Sequence, residues 1–312
     1  MPELSANGLT LYYEDEGPRN GRPIVLVMGL GVQSTAWPAA FLDALHWADY
    51  RTIRFDNRDI GLSSRLEGRR ARHIALHIIT SRLGLGGGAP YALTDMADDT
   101  LGLIEALELE RPHLVGVSMG GMIGQIIAAR AGSQLASFTA IMTSTNNPRL
   151  PKPRRDVLKM LIAPGPAPKT HDEAVERAIR LWNTIGTQNG GGTQEDLRER
   201  VDAALRRSFY PAGLKRQIAA IIETGDLRRW TRKISLPTLV LHGTADPLVP
   251  ASGGKDVAAN IMNSRLHLLD GMGHDLPPKF LAELTGELVE HLRTSDSMHA
   301  QESQTTSTVL AS

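Results

Sequence analysis

The sequence predicts an α/β fold: a mostly parallel central sheet, helices on both of its faces, and an inserted α-helical cap. Three observations predict it. Short apolar runs alternate with helical stripes through residues 1–146 and again through 236–293. Several of these runs end in turns bearing Gly, Ser, Asp or His, as strands do when they present side chains at the carboxyl edge of an open sheet. Between the two halves, residues 147–235 break the alternation with long helical patterns.

The elements follow in order. Residues 3–14 read as a hairpin around Ala6-Asn7-Gly8, because Asn-Gly supplies the positive-φ positions of a tight turn. Pro23-Ile24-Val25-Leu26-Val27 is the next strand, followed by the loop Met28-Gly29-Leu30-Gly31 and a helix through Leu45. Arg51 to Phe55 is a strand. Thr94 to Leu107 carries a stripe of Met96, Leu101, Ile104 and Leu107, with Thr94 expected as N-cap and aspartates in the first turn. Strand 113–117 runs into helix 119–130, where Gly120, Gly121, Gly124 and Ala128 make a small-residue face for close packing on the sheet. Ser137 to Thr143, 238–242 and 264–269 are further strands, with a helix from Ala251 between the last two. Pro278 to Leu292 is the final helix, with proline in its first turn. The cap, 147–235, holds the helical patterns Asp172–Ile185 and Glu195–Ser208, a proline-rich stretch at 148–168 and the hinge-like Asn189-Gly190-Gly191-Gly192. The core is then 1–146 with 236–293, and the Ser/Thr-rich 294–312 is expected to be a disordered tail.

Gly116-Val117-Ser118-Met119-Gly120 is the most informative stretch. A serine on a strand-to-helix turn, with glycine two residues to either side, forms a nucleophile elbow. The turn is sharp enough that side chains at the two glycine positions would collide with backbone. It pushes the Ser118 hydroxyl out of the sheet and leaves the Met119 N–H at a helix start, where donors are unpaired and the local dipole is positive. A serine hydroxyl is a weak nucleophile and needs a base, and the base needs an orienting group. His274, in Gly271-Met272-Gly273-His274, follows a strand and sits beside flexible glycines. Asp246, in His242-Gly243-Thr244-Ala245-Asp246-Pro247, also follows a strand. Asp256, Asp270 and Asp275 are rival acids: Asp275 adjoins the histidine and is expected to point elsewhere, and Asp270 ends its strand too early.

Together these segments resemble an α/β-hydrolase-fold serine hydrolase, from about Leu9 to Leu292, with the family's chain order Ser, Asp, His. Asp56-Asn57-Arg58-Asp59-Ile60-Gly61-Leu62-Ser63 is similar to the family's D-x-R-G-x-G-x-S segment. Asp59 stands where glycine is usual, as in carboxylesterases of the lipase and anthracycline-methylesterase kind. The resemblance implies a second oxyanion donor, the N–H of Leu30, in a loop where many relatives have His-Gly and this chain has Met28. After the sixth strand, where some relatives carry an acid, Thr143-Ser144-Thr145-Asn146-Asn147 has no carboxylate. The implied activity is hydrolysis of a small-molecule carboxylic ester through an acyl-enzyme, with no cofactor or metal. The pocket wall would be apolar, from Met28, Trp37 and Leu248 and from the cap residues Met160, Leu161 and Trp182. The alternatives are the same triad turned to C–C bond or lactone hydrolysis or cofactor-free perhydrolysis, and a non-catalytic ligand-binding protein on the same fold.

The rest of the chain narrows the class. Its 312 residues, 41% hydrophobic and 22% charged, suffice for a large core. The 34 basic and 34 acidic side chains balance, so nothing draws it to nucleic acid or an anionic membrane. With no cysteine, thiolate zinc sites and thiol nucleophiles are excluded. Met1-Pro2-Glu3-Leu4-Ser5 lacks the pattern of a signal peptide, no apolar run approaches a membrane span, and a cytoplasmic location is expected. His73 and His77 share a helical face without the glutamate of a zinc motif. Gly84-Leu85-Gly86-Gly87-Gly88 has no strand before it and reads as a loop, not a phosphate cradle. Lys152-Pro153-Arg154-Arg155 reads as a solvated turn.

Overall fold

The computed structural model describes residues 2–69, 71, 77, 80, 88–162 and 165–310. Eight strands form one sheet: β1 (Glu3–Ala6), β2 (Leu9–Glu16), β3 (Arg22–Val27), β4 (Tyr50–Phe55), β5 (His113–Val117), β6 (Ser137–Ile141), β7 (Thr238–Gly243) and β8 (Ser264–Leu269). Their order is β1-β2-β4-β3-β5-β6-β7-β8. β2 is antiparallel to both of its neighbours, and every pair from β4 to β8 is parallel. The first hairpin turns at Asn7 (φ 48°) and Gly8 (φ 74°), as its Asn-Gly pair predicts. The described helices are α1 (Ala39–Trp47), α2 (Leu93–Ala106), α3 (Met119–Ala131), α4 (Arg155–Ile162), α5 (His171–Ile185), α6 (Gln194–Arg207), α7 (Pro211–Thr224), α8 (Arg228–Thr231), α9 (Ser252–Ala259) and α10 (Pro278–Leu310).

Alternation along the strands feeds two cores, since successive side chains face opposite sides of a sheet. Val25, Val27, Ile53, Phe55, Leu114, Phe138 and Val240 pack with α2, α3 and α9 on one face. Ile24, Leu26, Val115, Ile141, Leu239 and Leu241 pack with Phe41 and Leu45 of α1 and with Phe280, Leu284, Leu288 and Leu292 of α10 on the other. Helix α3 lies close to the sheet because its glycines allow it: a Cβ on Gly124 would come within 2.4 Å of the Phe138 ring.

Two expectations are corrected. α2 starts at Leu93, one residue before the expected N-cap Thr94; Asp95 supplies the cap, accepting the Ala92 N–H at 2.8 Å. The segment 294–310 is helical, where a disordered tail is expected. Its polar composition hides specific docking. Ser295 is fully buried, and Asp296 accepts the Tyr50 hydroxyl at 3.0 Å and pairs with Arg22 at 2.8 Å and His113 at 3.2 Å. His299 Nε2 donates to the Ala136 carbonyl at 2.8 Å.

Between β6 and β7 the chain forms α4 to α8. α5 and α6 pack on each other through Val175, Ile179 and Val201. α7 descends onto the turn after β4: a Cβ on Gly213 would lie 2.0 Å from the Asp59 carbonyl oxygen. His77 Nε2 meets Glu223 of α7 at 2.7 Å, whereas His73 lies outside the described residues, as does the glycine run at 84–87.

Candidate active site

The chain turns from β5 into α3 at Ser118, whose φ of 55° is a conformation that L side chains rarely adopt. The glycines on either side permit it. A Cβ on Gly116 would lie 2.4 Å from the Gly120 carbonyl oxygen, and one on Gly120 would lie 2.0 Å from that of Val27. The turn is tied down by the Ser118 N–H donating to Ile141 O (2.9 Å) and by the Thr143 hydroxyl donating to Ser118 O (2.6 Å). Met119 opens the helix, so its N–H has no partner four residues back.

Residues 118, 246 and 274 lie far apart along the chain, yet their side chains meet. Ser118 Oγ is 3.0 Å from His274 Nε2, and His274 Nδ1 is 2.6 Å from Asp246 Oδ2. A carboxylate only accepts, so Nδ1 donates to it and Nε2 is left to accept from the serine hydroxyl. Asp246 and His274 are both buried. The other oxygen of Asp246 accepts the N–H groups of Leu248 and Val249, each at 2.8 Å. Burial opposes charge on Asp246. The His274 ring and the hydrogen bond from it, the neighbouring His242 imidazole and the Val249 N–H outweigh that, and hold its carboxyl well below the usual carboxylate range. His242, near the end of β7, donates from Nε2 to Val249 O at 2.8 Å and so fixes the Asp246 turn.

The rival acids are engaged elsewhere. Asp270 accepts the Thr244 hydroxyl at 2.8 Å, Asp256 accepts the Thr145 hydroxyl, and Asp275 accepts both the N–H and the hydroxyl of Thr187. Among the described residues no cluster of three His, Asp or Glu side chains is arranged to hold a metal ion.

The loop after β3 faces the elbow: a Cβ on Gly29 would lie 3.2 Å from that of Ser118. Asn57 Nδ2 holds the Met28 carbonyl at 3.0 Å, and the Gly31 N–H donates to Gln217 Oε1 at 2.9 Å. Gln217, fully buried on α7, also donates from Nε2 to Arg58 O at 3.0 Å. Ser34 N–H donates to Asp56 (2.8 Å), which pairs with Arg207 of α6 at 2.7 Å. The loop that carries Leu30 is thus held by side chains of both α6 and α7, residues that no motif marks.

Asp59 explains its own departure from glycine. It sits at φ 69°, where glycine would be at ease. Its carboxylate takes two charge-assisted bonds from Arg216 of α7, at 2.7 and 2.8 Å, together with the Tyr91 hydroxyl and the Leu66 N–H. Arg216 is the buried cation that keeps this acid at a position where glycine is usual.

The expected wall residues separate. Met28 and Trp37 belong to the core on the α1 face of the sheet, with Trp37 2% exposed and stacked on Phe41 at 5.0 Å. Trp182 packs against the α5–α6 cluster, so its bulk is used between those helices. Met119 is buried in the α3 core and offers the site only its backbone. Leu30, Leu248, Met160 and Leu161 are half-buried.

The sequence profile of the alpha/beta hydrolase family matches residues 24–283, spanning the elbow, the Asp246 turn and the His274 loop. The chain belongs to the alpha/beta hydrolase family. This hydrolase is 26% identical over 316 residues to rhodomycin D methylesterase from Streptomyces sp. (strain C5), covering 94% of this chain and 98% of the relative, which bears out the resemblance to anthracycline methylesterases. It is 24% identical over 291 residues to 3-oxoadipate enol-lactonase 1 of Acinetobacter baylyi, covering 89% and 93%. In fold it matches the crystal structure of the enol-lactonase from Burkholderia xenovorans LB400, with a TM-score of 0.72 at 22% identity, covering 94% of this hydrolase and all of that chain. Among the described residues, no helix is long and apolar enough to cross a membrane.

Proposed function

We propose that this hydrolase is a serine carboxylic ester hydrolase, acting through an acyl-enzyme on a small-to-medium apolar ester. The observation that carries the reading is the continuous relay from the Ser118 hydroxyl through His274 to Asp246, at 3.0 and 2.6 Å. Ser118 Oγ attacks the ester carbonyl while His274 Nε2 takes its proton, and Asp246 stabilises the imidazolium that results. The oxyanion is received by the N–H groups of Met119 and Leu30, each worth about 3–4 kcal/mol of transition-state stabilisation. His274 returns the proton to the departing alcohol, then activates water to release the acid. The helices between β6 and β7 act as the cap, with Leu248, Met160 and Leu161 as the remaining candidates for its apolar wall.

Similarity to a methylesterase over nearly the whole chain supports an ester with a small alcohol. Similarity to an enol-lactonase favours a second reading, in which the same relay opens a lactone and the leaving alcohol stays attached to the acyl group. The test is labelling by a fluorophosphonate and turnover of a panel of p-nitrophenyl esters and lactones, with Ser118→Ala and His274→Ala as controls. Both variants should lose labelling and turnover. Equal activity in all three proteins would end the relay reading.

A further inference from the structure

We propose that Thr187, from the segment just after α5, is a positioning residue for His274, so that the inserted helices hold the base in place as well as covering the site. The inference rests on the relay reading above and adds a residue to it. The loop that carries His274 contains Gly271 (φ 82°) and Gly273; its first part is tied to the core through buried Met272, whose carbonyl accepts the Ala245 N–H at 3.0 Å. The next three residues, 273–275, are bonded to the end of α5 and the segment just after it. The Gly273 N–H donates to Thr187 Oγ1 at 2.8 Å. The His274 N–H donates to the Ile185 carbonyl at 2.8 Å. Asp275 Oδ1 accepts the Thr187 N–H at 2.9 Å and its hydroxyl at 2.6 Å. The approach is tight: a Cβ on Gly273 would lie 2.6 Å from the Gly186 carbonyl carbon.

The two restraints on His274 are therefore separate. Asp246 fixes the ring through Nδ1, while Ile185 and Thr187 hold the backbone N–H groups of residues 274 and 273, and Thr187 also holds the Asp275 carboxylate. A base held by one without the other could still pair with Asp246 yet stand at the wrong distance from Ser118, and catalytic groups work only when placed within about 0.5 Å of their productive geometry. The Thr187 hydroxyl is central because it accepts from residue 273 and donates to residue 275 at once, spanning the histidine. The Asp275 carboxylate is bonded to Thr187, and there it anchors the loop.

The test uses Thr187→Val, which keeps shape and backbone but loses both hydroxyl bonds, beside Thr187→Ser, which keeps them. On p-nitrophenyl esters, Thr187→Val should lose about tenfold or more in kcat with KM within about twofold, while Thr187→Ser stays near wild type. The downfield proton resonance of His274 Nδ1 should broaden or shift in the valine variant and be retained in the serine variant, a change that general loosening of the fold would not confine to one proton. Thr187→Ala carries the same expectation should the valine variant not fold. Wild-type kcat and an unmoved resonance in a folded Thr187→Val overturn the proposal. An inactive Ser118→Ala beside them leaves the relay standing, whereas an active Ser118→Ala removes the relay itself.

Discussion

Replacing Asp59 by glycine restores the residue usual at this position in the family, and it should destabilise this protein. The substitution removes one cost and creates a larger one. At φ 69° a non-glycine residue carries about 1–2 kcal/mol of backbone strain, which glycine releases. The carboxylate that disappears holds a guanidinium that is itself buried, through bonds of 2.7 and 2.8 Å, and takes a third bond from the Tyr91 hydroxyl at 2.8 Å. Stranding one member of a buried pair costs about 3–5 kcal/mol. Arg216 would keep two neutral acceptors, the Arg69 carbonyl and the Tyr210 hydroxyl, which places the loss at the lower end of that range. The net is about 1–2 kcal/mol of lost stability. With a urea slope of about 3 kcal/mol/M, the unfolding midpoint, followed by tryptophan fluorescence, drops by about 0.3–0.7 M. The double variant Asp59→Gly/Arg216→Leu should recover most of that drop, because the stranded charge is gone. Activity should also fall in the single variant, since α7 carries Gln217, which holds the loop after β3 proposed to receive the oxyanion. An Asp59→Gly protein with an unchanged or higher midpoint would refute the reasoning, as would a double variant less stable than the single one.

Two further outcomes are expected. Asp246→Asn removes the charge that stabilises the imidazolium and permits the wrong His274 tautomer; kcat on p-nitrophenyl esters should fall on the order of 10³–10⁴-fold with little change in KM, and a loss below tenfold would mean that another group orients the base. His291, on α10, is pushed down to about 4 by burial, with His113 and Arg265 adding repulsion, whereas in the unfolded chain it titrates near its ordinary value of about 6.5. The unfolded state therefore takes up the proton first as pH falls. The stability from a neutral His291 is complete above about pH 6.5 and drains away toward pH 4, about 3 kcal/mol in all. Urea midpoints measured at pH 7, 5.5 and 4.5 should fall along this window, and His291→Gln should flatten the decline; an equal decline in both proteins would assign the effect to other groups.

The groups of the proposed relay are legible in the sequence because each lies on the turn or loop that follows a strand. Those strands read as short apolar runs that stop at glycine and polar residues, and at the carboxyl edge of a parallel sheet every stop faces the same crevice. Ser118, Asp246 and His274 could thus be brought together without knowing any distance. The glycines at 116 and 120 were legible for a related reason, since their contacts are to backbone at short range. What stayed hidden depends on how elements remote in sequence lie on one another. Gln217 and Thr187 sit 186 residues after Gly31 and 86 before Gly273, and nothing local distinguishes a glutamine or threonine that reaches across such a gap from one facing solvent. The docking of residues 294–301 was missed for the same cause: Asp296 and His299 are ordinary helix-surface residues until Tyr50, His113 and the Ala136 carbonyl lie beneath them. Composition argued for disorder there because it counts apolar surface, and this stretch of helix is held instead by paired polar groups. Asp59 lies between the two cases. Its identity departs from the glycine that its backbone angle invites, and that local contradiction is what a sequence can display when a distant partner, here Arg216, has made the strained residue worth keeping.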